Sequence, residues 1–111
     1  MKTDRYHLPA DRYLFDFKRC TYDKGFAQVD SPQDASYYGT WANPTTLQIV
    51  SYCEGDVCEK TAATPQEFCD ELRAIDAWNV EHQNGHARID PGFGETMKQA
   101  FIDVGLADML H

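Results

Sequence analysis

Ser36-Tyr37-Tyr38-Gly39-Thr40-Trp41-Ala42-Asn43-Pro44-Thr45-Thr46-Leu47-Gln48-Ile49-Val50-Ser51-Tyr52-Cys53-Glu54-Gly55-Asp56-Val57-Cys58-Glu59-Lys60-Thr61 is the stretch that decides the fold. Residues 36–42 and 46–53 are rich in aromatic and β-branched side chains, which suit a pleated, half-buried surface. Asn43-Pro44-Thr45 separates them as a turn, where Pro cannot donate to a ladder. Gly55-Asp56 has Gly first, the order a two-residue type II′ hairpin prefers, and residues 57–61 then run back. The pattern predicts a three-stranded antiparallel meander. A turn at 55–56 pairs Glu54 with Val57 and sets Cys53 opposite Cys58. A three-residue turn at 43–45 puts Tyr37, Gly39 and Trp41 on one face with Leu47, Ile49, Ser51 and Cys53. Tyr38, Thr40, Val50, Tyr52 and Val57 then share the other face.

Upstream, Tyr13-Leu14-Phe15-Asp16-Phe17 and Phe26-Ala27-Gln28-Val29-Asp30 read as two further strands, and the polar residues 1–11 as a loose arm. Downstream, Thr64-Pro65-Gln66-Glu67 is a helix start with a capping Thr, Pro in the first turn and Glu placed to close a capping box. Phe68, Leu72, Ile75 and Trp78 form its apolar stripe, and the helix ends before Asn84-Gly85. Asp90-Pro91 marks a second start, with Met97, Phe101, Val104 and Ile102 as the stripe, Gly105 as the stop and 106–110 as a docked apolar tail. The expected fold is α+β: an antiparallel meander of about four to five strands with two C-terminal helices packed on one face. One domain spans 1–111.

The chain has 10 Lys and Arg against 18 Asp and Glu, a net charge of −8. Such a balance argues against direct contact with nucleic acid. No apolar run approaches the length of a membrane span, and the N-terminus lacks the apolar core of a signal peptide, so a cytoplasmic, non-membrane protein is expected. The charge is concentrated: residues 54–81 hold eight acids against Lys60 and Arg73. If they form one surface, Glu54, Asp56, Glu59, Glu67, Asp70 and Glu71 would attract a protein with a basic surface, beside an aromatic hairpin carrying Tyr38 and Tyr52. The oligomeric state is open, a homodimer included.

Catalytic signals are sparse. There is no Gly-rich phosphate loop or dinucleotide fingerprint, so no cofactor is expected. No nucleophile signature surrounds any of the four cysteines. Cys53, Cys58, His82 and His86 have the residue types of a tetrahedral zinc site, at a spacing that matches one weakly. The expectation is a reduced, metal-free pair of thiols in a reducing compartment. The leading reading is a non-enzymatic acidic protein-binding module. The alternative is a small enzyme or ligand-binding domain whose pocket, between sheet and helices, is lined by Asp34, Tyr38, Tyr52 or His82.

The segments Gln33-Asp34-Ala35-Ser36-Tyr37-Tyr38-Gly39-Thr40-Trp41-Ala42-Asn43-Pro44 and Tyr52-Cys53-Glu54-Gly55-Asp56, with Ala77-Trp78-Asn79 and Asp90-Pro91-Gly92-Phe93, resemble small accessory proteins carried by bacterial plasmids and integrative elements. The resemblance implies a bacterial, cytoplasmic, mobile-element setting. It brings no activity and no assigned residues. In that setting the module would inhibit or regulate a basic nucleic-acid-binding host protein.

Overall fold

The meander forms, extended at both edges. A computed structural model describes residues 3–8, 25–29, 38–53, 56–92 and 94–110, with the strand residues 3–8, 38, 52–53 and 56–57 described by their backbone. Among the described residues six strands make one sheet: β1 (Thr3–Leu8), β2 (Ala27–Val29), β3 (Tyr38–Asn43), β4 (Gln48–Cys53), β5 (Asp56–Thr61) and β6 (Ile89–Asp90), in the order β1-β5-β4-β3-β2-β6. Every strand pair is antiparallel. Helix α1 (Pro65–Glu81) lies between β5 and β6, and helix α2 (Glu95–Val104) and a 3-10 turn at Ala107–Met109 come after β6. This is the α+β meander with C-terminal helices that the pattern predicts. The proposed strand at 13–17 lies outside the described residues.

Residues 3–8 are not a loose arm but an edge strand, with Thr3 opposite Thr61 and Arg5 opposite Glu59. Main-chain pairing at an edge does not require apolar side chains, and charged residues are common there. β6 comes from Ile89-Asp90, where a second helix start was expected. Asp90 Oδ1 accepts from the Gly92 amide at 2.9 Å, so the capping-type side chain shapes a turn, and α2 begins only after Gly94.

Both hairpin registers differ from expectation. In the second, Cys53 pairs with Asp56 and Ser51 with Cys58, so Cys53 and Cys58 are not opposite each other. Each partner is moved by two positions, an even step, so every side chain keeps its face. In the first, Asn43 pairs with Gln48 and Trp41 with Val50, leaving a four-residue loop. Asn43 Oδ1 accepts from the Thr45 and Thr46 amides at 3.0 and 3.2 Å, and Leu47 closes the loop at φ +61°. That shift is odd, so it flips β3 relative to β4. Ala42 therefore joins Ile49 under the helices, and Trp41 goes to the opposite face.

The helix-side core brings together Ala27, Val29, Ala42 and Ile49 of the sheet with Phe68, Leu72 and Phe101 of the helices, and Leu47 packs at its margin. The rings of Phe68 and Phe101 stack at 6.4 Å between centroids, linking α1 to α2 over the sheet. Leu106 and Met109 close the core from the C-terminal tail, and Leu110 bridges to Ile89 at the β6 edge. Trp41 and Val50 are also fully buried on the opposite face, so the sheet is covered on both sides.

Candidate functional site

The acidic stretch does not form one face. Glu59 is buried on the side of the sheet away from the helices, where Gln48 Nε2 donates to its Oε1 at 3.2 Å. Glu71 pairs with Lys60 of β5 at 3.4 Å on the helix side. Glu67 accepts from the Ala63 amide at 3.0 Å and is part of the α1 cap. Asp70 is exposed and accepts from Gln66. Glu54 lies outside the described residues, and Asp56 is placed by its backbone alone, opposite Cys53. Three of the six expected partner-binding carboxylates, Glu59, Glu67 and Glu71, thus serve internal structure.

Tyr38 pairs with Cys53 and Tyr52 with Val57 along the ladder, as backbone positions only. Asp34 lies outside the described residues. His82 caps the end of α1, and His86 Nδ1 donates to Asp76 Oδ1 at 3.1 Å. The same carboxylate oxygen accepts from the Ala87 amide at 2.8 Å, which fixes the chain as it leaves α1. Among the described residues no three His, Cys, Asp or Glu side chains gather as metal ligands. Cys58 and Cys69 are free thiols. Cys69 donates to the Val104 carbonyl at 3.0 Å, and burial pushes its pKa up, which keeps it a poor nucleophile.

What the α1 stripe misplaced is the most exposed large apolar side chain among the described residues. Trp78, expected inside, is 53% exposed, and Asn79 takes the buried position at 3%. Helix geometry accounts for it. At 100° per residue, i+10 from Phe68 lies about 80° off its direction, and i+11 only about 20° off. That angle was available in the sequence, but hydrophobicity favoured Trp over Asn. The imidazole of His82 stacks on the indole at 3.9 Å between centroids and 17° between planes. The His82 amide donates to the Trp78 carbonyl at 3.0 Å, and Nδ1 contacts the same oxygen at 2.8 Å. A carbonyl only accepts, so Nδ1 carries the hydrogen. His82 is therefore tied to the residue it covers by one ring bond and one main-chain bond.

Asp70, Ala74, Ala77, Trp78 and Glu81 recur at i, i+4, i+7, i+8 and i+11 and are all exposed. They make a shallow strip of small residues with an indole on one flank and a carboxylate towards each end. α1 as a whole carries five acids and one Arg, net −4. Arg73 is itself neutralised by a bidentate pair with Asp108, both contacts at 3.0 Å.

A second concave feature lies elsewhere: a cavity of about 300 Å³ between Gly25, Pro44 and Thr45 on the sheet side and Thr96, Met97 and Ala100 of α2. None of its lining residues was a candidate from sequence. No helix among the described residues is long and apolar enough to cross a membrane. Compared with family models, curated proteins and solved structures, the chain matches none.

Proposed function

We propose that the chain is a protein-binding module that docks through the outward face of α1 on a partner with a basic surface. The observation that carries this reading is Trp78, half exposed and held flat by His82 on a helix of net charge −4. Leaving a large indole in water forgoes burial worth roughly 1.5–3 kcal/mol for a large apolar side chain, and aromatic side chains of this kind are enriched at contact sites. The surrounding carboxylates favour a cationic partner and repel nucleic-acid phosphates. The resemblance to plasmid and integrative-element accessory proteins suggests a basic nucleic-acid-binding host protein in a bacterial cytoplasm, which the module would inhibit or regulate.

The test is capture from a bacterial lysate at low and high salt, using the parent chain, Trp78→Ala, and the double variant Asp70→Lys with Glu81→Lys. Partners retained by the parent at low salt, and lost by both variants and at high salt, are the expected result. Capture that is identical for all three chains would refute docking through this face.

The cavity beside α2 favours a second reading, a ligand-binding domain. Its volume is adequate for a small metabolite, but its polar lining rests on Thr45 and Thr96. A thermal-shift screen with metabolites and metals separates the readings, since a ligand that binds only the folded state raises its apparent stability.

A further inference from the structure

We propose that the exposed part of the Trp78 ring is an arginine platform, so that the partner docks with an arginine-bearing segment and not merely a basic one. The inference rests on the docking reading above and specifies its partner. His82 occupies one face of the indole and the residue is still 53% exposed, so the ring surface offered to a ligand is the part that His82 does not cover. Because the imidazole is bonded through Nδ1 to the Trp78 carbonyl, and the His82 amide donates to the same oxygen, the stacked pair is held in place before anything binds, which lowers the ordering cost of docking.

Three electrostatic features converge on a cation at that surface. The indole face is the negative end of the ring quadrupole. Trp78 lies in the last turn of α1, where the helix dipole is negative, and that turn contains no basic residue. Glu81 sits at i+3 from Trp78, about 5–6 Å away between Cβ atoms at that helical spacing. A carboxylate at a helix C-terminus opposes the dipole, and a bound cation relieves that conflict.

Geometry then selects arginine over lysine. A planar guanidinium lies flat on the indole and still directs its in-plane N–H groups sideways at a carboxylate such as Glu81. A lysine ammonium is a compact, strongly hydrated point charge that cannot stack. Ala74 and Ala77 keep the strip beside the ring low, which allows a partner helix to approach. A nucleobase could also stack on the indole, but its phosphates would meet Asp70 and Glu81.

The experiment uses two synthetic amphipathic helical peptides that differ only in carrying arginine or lysine at each basic position. Binding to the full chain is followed by peptide fluorescence anisotropy and by quenching of intrinsic emission, with Trp78→Phe as the variant that removes the exposed indole signal. The expected result is about three- to fivefold tighter binding of the arginine peptide. Trp78→Ala and Glu81→Gln should each erase that preference while leaving the urea unfolding midpoint close to the parent's. Equal affinity for the two peptides, lost in the Asp70→Lys, Glu81→Lys double variant, overturns the arginine platform and leaves the docking reading standing. Failure of both peptides to bind at low salt overturns both. An arginine preference that survives in Trp78→Ala also overturns the platform.

Discussion

Gly39 is a residue defined by its neighbour. Its φ is ordinary, but a Cβ built there would sit 2.7 Å from Cζ3 of Trp41, which shares its face of the sheet two positions along. Gly39→Ala is expected to lower stability by about 1–3 kcal/mol through overpacking, measured by urea unfolding. Asn79 presents the opposite case. Its amide nitrogen is buried with no hydrogen-bond partner among the described residues, so Asn79→Leu removes a desolvated donor while keeping the branched shape and the number of heavy atoms. The expected outcome is a gain of about 1 kcal/mol in the same assay. A variant less stable than the parent would show that the amide oxygen contributes more than the stranded nitrogen costs. Neither role was legible in the chain. Gly39 reads as a weak strand residue until Trp41 is known to lie over it, and Asn79 reads as a polar surface position beside an apolar Trp.

At the level of elements, local chemistry was legible and register was not. Thr64 caps α1 as its sequence indicates, with Oγ1 accepting from the Glu67 amide at 3.2 Å while Glu67 reaches back to Ala63. Thr64→Ala is expected to cost about 1 kcal/mol in thermal or urea unfolding, and Thr64→Asp to retain most of the cap. Gly105 ends α2 in the left-handed region at φ +101°, as its position foretells. The β3–β4 loop escaped because its length depends on Leu47 adopting φ +61°, a conformation the residue type does not advertise. One misjudged loop exchanged the faces of Trp41 and Ala42. The β4–β5 turn was misplaced by an even step and preserved the faces, so the predicted Leu47 and Ile49 contact with the helices held.

Across the whole molecule, the α+β class follows from strand-like patterning in the N-terminal half and helix signals in the C-terminal half. The sheet order does not, because β1 and β6 join it through pairings that no adjacent sequence announces. The C-terminal turn is clipped to α1 by Arg73, which grips Asp108 and also donates to the Gly105 carbonyl at 3.1 Å. The hydrogen bond to Arg73 holds the Asp108 carboxyl below its ordinary value. A carboxyl lowered on folding stabilises the fold above its unfolded pKa, and that contribution is lost as pH falls through the lowered folded value. Asp108→Asn is therefore expected to be less stable than the parent near neutrality, with the difference closing on acidification and in high salt, as followed by thermal unfolding across pH. The edge pairing of β1 has a consequence for the chain as it is made. Thr3 must wait for Thr61, 61 − 3 = 58 residues later, before its ladder can form. At a synthesis rate of about 5–20 residues per second, that is a delay of roughly 3–12 s. The opening strand thus emerges from the ribosome without its partner, and its Asp4 and Arg5 favour hydration over association with other nascent chains while it waits.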